Sequence, residues 1–163
     1  MQLASNSPHQ TLTSTHIVGI NPDQILSELP RIDLMGIQLA AFDEAECVKT
    51  VLMLLGRGRG GNLLTMNLDH ARRYFSGGPC RLDYDNATIR VADGMPLVWA
   101  SRLIGKPLPQ RITGSNLIFS LTASAAEMGY PVYFLGGNPG TAEASAKILQ
   151  AESPKLKLSL IHI

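Results

Sequence analysis

From Arg31 onward, apolar residues fall into short runs that switch between the alternation of a strand and the wider spacing of a helix. Ile32, Leu34, Ile37 and Leu39 are spaced for strand, and Met35-Gly36 offers a turn between two short strands. Asp43 then opens a helix, with Glu46 three residues on as in a capping box. Ala45, Val48, Val51, Leu52 and Leu55 share one face of it, and Gly56 to Gly61 ends it. Leu63 and Leu64 lead a short buried strand that closes on Thr65-Met66-Asn67. A helix is expected from Asp69 through Tyr74, and a second helical stretch from Asp83 to Ile89.

Asp93-Gly94 breaks the chain, after which Leu97, Ala100, Ser101 and Ile104 share a helical face. Gly105-Lys106-Pro107-Leu108-Pro109 reads as a loop. Ser115 is a good N-cap for a helix whose apolar stripe is Ile118, Leu121, Ala125 and Met128. Val132-Tyr133-Phe134-Leu135 lacks polar alternation, as expected of a parallel strand covered on both faces. Asn138 is the expected cap of the next helix, with Pro139 in its first turn and its end near Gln150. Leu156, Leu158 and Leu160 predict one more strand.

Strand and helix alternate without an internal repeat. The expected class is α/β, Rossmann-like, a mostly parallel sheet with helices on both faces. Residues 1–30 are polar, rich in Ser, Thr, Asn and Gln, and without periodicity, which predicts a flexible arm ahead of one domain over 31–163. A doubly wound sheet that stops on its newest strand lacks a covering helix, so the sheet is expected to be incomplete at the C-terminus. Leu158 to Ile163 also reverse-translates into the mosaic end of a common sequencing transposon, and the expectation is read-through over 158–163.

Composition narrows the class. The 163 residues suit one compact domain, and 45% of them are hydrophobic, enough for a core. A net charge of +1 gives no general pull towards nucleic acid, and 6% aromatics gives little for stacking bases. Cys47 and Cys80 form neither a zinc pattern nor a disulfide framework and read as reduced thiols. No apolar run reaches the ~20 residues of a membrane span, and no signal peptide is evident, which predicts a cytoplasmic protein able to touch a membrane peripherally.

The candidate chemistry is one carboxylate, one arginine and two glycine-bearing turns. Asp93 is either a general base, worth about 10²–10⁴ in rate, or the cap of the helix beginning near Met95. Thr65 and Asn67 end a parallel strand, where ligands of open α/β sheets gather. Their short polar side chains suit sugar hydroxyls or an acetamido group, or simply make a turn. Arg111 suits paired hydrogen bonds to a diphosphate, or is a solvated loop arginine. Gly136, Gly137 and Gly140 lie between strand and helix, where backbone can approach an anion. They do not form a clean dinucleotide fingerprint, and a plain tight turn fits as well. Gly114 and Ser115 make a similar helix-start site. His70 beside Arg72 and Arg73, and Arg57 with Arg59, read as solvated. Trp99 reads as core rather than acceptor platform. Asp83, Tyr84 and Asp85 read as helix-start and surface residues.

The segments Thr65-Met66-Asn67, Ala92-Asp93-Gly94, Val98-Trp99-Ala100-Ser101-Arg102, Pro107 to Gly114 and Phe134-Leu135-Gly136-Gly137 resemble, in order and spacing, the WecG/TagA/CpsF family of bacterial glycosyltransferases. The resemblance covers about Ile32 to Pro154. It implies transfer of a hexosamine or hexuronic acid, of the N-acetylmannosamine class, from a UDP-sugar to a polyprenyl-diphosphate-linked saccharide. The products are wall teichoic acid, enterobacterial common antigen or capsule. The transfer inverts the anomeric centre, and the family implies no metal and no cofactor. Carried onto this chain, the resemblance makes Asp93 the catalytic base and gives substrate binding to Thr65, Asn67, Gly94, Arg111, Gly114, Ser115, Gly136 and Gly137. Where many relatives carry Gly-x-Asp, this chain has Gly114-Ser115-Asn116. The family's later strands and basic C-terminal appendage, which are expected to close the site and hold the inner face of the cell membrane, are not in this sequence. A homo-oligomer is a further expectation, and nucleic acid is not an expected partner. Two rivals remain from the residues alone: a dinucleotide-binding oxidoreductase domain using Gly136 to Gly140, and an inactive nucleotide-sugar-binding fragment.

Overall fold

The computed structural model describes residues 21–161. Its elements run α1 (Pro22–Glu28), β1 (Arg31–Leu34), β2 (Ile37–Ala40), α2 (Glu44–Gly56), β3 (Leu63–Met66), α3 (Leu68–Ser76), α4 (Cys80–Asp85), β4 (Ile89–Ala92), α5 (Met95–Leu103), α6 (Gly114–Met128), β5 (Val132–Leu135), α7 (Thr141–Glu152) and β6 (Leu158–Ile161). β1 and β2 form an antiparallel hairpin, β3 pairs with β4 in parallel, and β5 pairs with β6 in parallel. The class is the expected Rossmann-like α/β.

The β3–β4 ladder sits between two cores. Leu64, Met66 and Ala92 face one, with Ile32, Leu34, Ile37 and Leu39 of the hairpin, Ala71 and Tyr74 of α3, Tyr84 of α4, and Leu97 and Val98 of α5. Leu63, Ile89 and Val91 face the other, against Cys47, Val48 and Leu54 of α2 and Leu117 of α6. Successive strand residues point to opposite faces, so this ladder is covered on both. Arg90, on the first face, ties β4 to β2 by donating from Nε to the Gln38 carbonyl (2.8 Å).

Several local expectations hold for local reasons. Met35, at φ 56°, and Gly36, at φ 92°, make the hairpin turn. Asp43 caps α2, and Glu46 returns the bond to the Asp43 N–H.

Other boundaries move. Order begins before Arg31, because Asn21 caps α1, and Ile25, Leu26 and Leu29 pack on the second core. Residues 1–20 of the predicted arm, and 162–163 of the predicted read-through, lie outside the described residues. The helix expected over Asp83–Ile89 is α4, which ends at Asp85, and Ile89 belongs instead to β4. Tyr84 is buried rather than a surface residue. The buried face of α2 is Cys47, Val48, Thr50 and Leu54, with Leu55 outside. On α5, Val98 is buried while Trp99 and Ile104 stand exposed, and on α6 Met128 is exposed. Thr113, not Ser115, caps α6. Gly140, not Asn138, is the N-cap of α7, with no side-chain bond, and Asn138 supplies its backbone carbonyl to Thr141 N–H.

β5 corrects a broader expectation. Val132 and Phe134 face a third, small core built on Ala126, Leu149 and Leu156. Tyr133 and Leu135 are exposed. Among the described residues this ladder is covered on one face.

Candidate functional site

The register places Thr65 beside Val91 and Met66 beside Ala92. Asp93 N–H bonds the Met66 carbonyl (2.7 Å) and carries the ladder one residue past both strands. The loop after α5 then returns, and Ile112 N–H bonds the Ala92 carbonyl (2.8 Å). Three turns thereby lie side by side at the C-terminal ends of β3 and β4. They are 65–67, 93–94 and 111–114.

Asp93 does not cap its own helix. Gly94 is the N-cap of α5, in extended backbone and with no side-chain cap bond. The Asp93 carboxylate crosses instead to α6, where Oδ2 accepts the Gly114 N–H (3.3 Å). That amide belongs to the first turn of a 15-residue helix, whose N-terminus carries partial positive charge and free donors. Asp93 is half-buried and keeps solvent access.

The turns touch at two glycines. A Cβ on Gly114 would come within 3.3 Å of Thr65 Oγ1, so even a methyl group there would crowd the threonine. A Cβ on Gly94 would stand 3.7 Å from Asn67 Cα, in ordinary contact. Thr65, Asn67, Asp93, Gly94 and Gly114 therefore form one cluster. Ser115 adjoins it, its Oγ donating to Thr113 Oγ1 (3.1 Å), while Thr113 Oγ1 also accepts the Asn116 N–H (3.2 Å).

Asn67 has a divided role. Its Oδ1 accepts the His70 N–H (3.1 Å), and its own N–H donates to His70 Nδ1 (3.2 Å). The two residues form a reciprocal cap of α3. The Asn67 oxygen is thus committed, while its Nδ2 amide makes no hydrogen bond among the described residues and faces no such restriction. His70 is not a solvated bystander. It is half-buried and meets Tyr84 edge-on, with ring centroids 5.9 Å apart. Sequence reasoning missed it because the N3 position of a capping box is usually filled by Glu or Gln. The spacing Asn67-x-x-His70 was the available signal.

Arg111 is exposed at the end of the returning loop and makes no ion pair among the described residues. Arg57 and Arg59 are elsewhere; Arg57 donates to the Met53 carbonyl and Arg59 pairs with Asp23 (3.4 Å). The guanidiniums of Arg73 first, and then of Arg72, hydrogen-bond Asp69 and hold its carboxyl below the usual aspartate range.

Gly136 and Gly137 stand apart from the cluster. Both have positive φ, 85° and 92°. They line a shallow pocket of about 300 Å³ with Ile118, Thr141 and Ser145. No hydrogen bond among the described residues joins them to Asp93, Thr65, Asn67 or Arg111. The link is α6, since Ile118 follows Gly114 by roughly one turn, about 6 Å along the axis.

A larger groove of about 1190 Å³ runs between α2 and α6, with Glu44, Lys49, Gln110 and Ser124 in its walls. It contains none of the candidate residues. It lies along helix flanks, whereas ligands of open α/β sheets gather at the carboxyl ends of strands. Among the described residues no three His, Cys, Asp or Glu side chains gather closely enough to hold a metal ion.

Residues 32–162 match the Glycosyl transferase WecG/TagA/CpsF family. The match starts inside β1 and takes in every later element, including all three turns of the cluster. The chain therefore belongs to the WecG/TagA/CpsF family of glycosyltransferases, whose members act in cell-surface polysaccharide synthesis.

Proposed function

We propose that this protein is an inverting transferase that moves a hexosamine or hexuronic acid from a UDP-sugar to a polyprenyl-diphosphate-linked saccharide. It works at the cytoplasmic face of the membrane. The observation that carries this reading is the Asp93 carboxylate, half-buried and held on the Gly114 amide between the turns that bear Asn67 and Arg111.

Asp93 accepts the proton of the attacking sugar hydroxyl. As that O–H bond breaks, the oxygen bonds the anomeric carbon from the face opposite the leaving group. The carbon–phosphate oxygen bond breaks, and UDP departs with the electron pair. Thr65 and the Asn67 amide hold the donor sugar. Arg111 and the Gly114-Ser115 amides meet the charge that grows on the diphosphate, where fixed donors are worth most. The Gly136-Gly137 turn holds the far side of UDP, one turn along α6. The lipid end of the acceptor is met at the membrane surface. Among the described residues no helix is long and apolar enough to cross a membrane.

Asp93→Asn keeps the shape and removes the base. Turnover is expected to fall by about 10²–10⁴, while UDP binding by calorimetry stays within about twofold. Unchanged turnover would remove Asp93 from the mechanism. Titration with NADH in place of UDP is expected to show no binding.

A further inference from the structure

We propose that the outer face of α5 and the turn that follows it form a docking surface for an anionic lipid bilayer. The proposal rests on the reading above only in that a lipid-linked acceptor places the protein at a membrane.

α5 buries Leu97, Val98 and Ser101. The remaining face carries Trp99 and Leu103, one helical turn apart, 56% and 88% exposed, with the C-cap Ile104 at 44%. Arg102 lies in the same last turn, and Lys106 follows; both are exposed. The turn does not dangle. Lys106 N–H bonds the Ser101 carbonyl (2.9 Å), Gly105 takes φ 73°, and buried Ser101 Oγ accepts the Leu108 N–H (3.0 Å). Lys106 is thereby held against the helix end.

Along the chain, the charges that next follow Asp93 have one sign. From Gly94 to Ala126 the chain carries Arg102, Lys106 and Arg111 and no carboxylate. Arg102 and Lys106 make no ion pair among the described residues. A tryptophan beside aliphatic side chains, rimmed by unneutralised cations, suits the headgroup region of an anionic leaflet. Three apolar side chains are few against the roughly 800 Å² that a stable protein interface takes from each partner. The position also serves the site. Gly94, the N-cap of α5, belongs to the Asp93 cluster, and the nine-residue helix sets the docking end roughly 14 Å away.

Trp99 is the only tryptophan of the 163-residue chain, so its emission reports this surface alone. Equimolar phosphatidylglycerol–phosphatidylcholine vesicles are expected to shift that emission to the blue and to carry the protein into the pellet. Phosphatidylcholine alone is expected to do neither. Leu103→Ser, and the pair Arg102→Glu with Lys106→Glu, each change exposed side chains, and far-ultraviolet dichroism checks that they fold. Each is expected to weaken vesicle partitioning at least about tenfold. No pelleting overturns the proposal. Pelleting with unchanged Trp99 emission also overturns it, because the contact then lies elsewhere. A blue shift that grows with protein concentration without vesicles, together with dimers in sedimentation velocity, assigns the face to a second copy and overturns it as well. Vesicle binding by an Asp93→Asn protein that retains full turnover would defeat the catalytic reading and leave this surface standing.

Discussion

β3 and β5 are both four-residue parallel strands that run into a turn and then a helix, yet they end in different surroundings. The last residue of β3, Met66, is 0% exposed, and the last residue of β5, Leu135, is 65% exposed. Asn67 after β3 caps α3 in a reciprocal bond with His70. After β5 the chain turns on positive-φ glycines, and α7 starts at Gly140 without a side-chain cap. The β3 turn is held by core on both faces and by side-chain hydrogen bonds. The β5 turn is held by its backbone and one small core. In the mechanism proposed above, the side chain that takes a proton at a fixed place is served by the first setting, and a turn proposed to meet a phosphate through backbone amides tolerates the second.

Three experiments test this contrast. The largest effect is expected from truncating the two strand ends. Met66→Ala should cost about 2–5 kcal/mol in denaturant unfolding, and Leu135→Ala should stay within about 0.5 kcal/mol. Equal costs would mean that the face of β5 described here as open is covered in solution.

A smaller effect is expected at the caps. Asn67→Ala should lose about 0.5–2 kcal/mol, whereas Asn138→Ala should change stability by less than about 0.5 kcal/mol. His70→Leu should lose part of the stability that Asn67→Ala loses and also raise KM for the donor, because the Asn67 N–H loses its Nδ1 acceptor and the turn loosens, although Asn67 Oδ1 keeps the backbone N–H of residue 70. His70→Gln can rebuild the box and should restore most of both. If glutamine fails where leucine fails, the imidazole has a role beyond capping.

The third test concerns the core shared by α2 and β4. Burial, and then the negative charge of Glu44, pushes the Cys47 thiol up from 9.0 to about 12. The folded protein therefore keeps a proton that the unfolded chain releases. The associated stability is complete below pH 9 and is lost as pH rises from 9.0 through about 12. Denaturant midpoints measured across that window should fall less steeply in Cys47→Ala than in the parent. Identical slopes would show that the thiol titrates as it does in the unfolded chain.

Much of the fold was legible because its signals are local. The Met35-Gly36 turn, the Asp43–Glu46 box and the run from Val132 to Leu135 each lie within a few residues. β4 was not legible. Its four residues include Arg90, whose charge breaks the apolar pattern, and the arginine is accommodated only because the carbonyls of Gln38, Tyr84 and Asp85 receive it. Helix faces drifted for a similar reason. Cys47 and Thr50 took inward positions on α2 that the pattern had assigned to Ala45 and Leu55. Of the site, the residue types and their order along the chain were legible, but the partner of each was not.

The amino-acid sequence by itself determined the alternation of strand and helix, the turn positions and the set of polar residues at the strand ends, since these depend on backbone preferences and neighbours a few residues apart. The tertiary structure decided that Asp93 serves the start of α6 rather than the start of α5, that Gly114 must lie against Thr65, and that Trp99 faces outward. Those outcomes join residues some twenty to fifty positions apart, and only the packing of β3, β4 and α6 around shared cores brings such residues within hydrogen-bond reach.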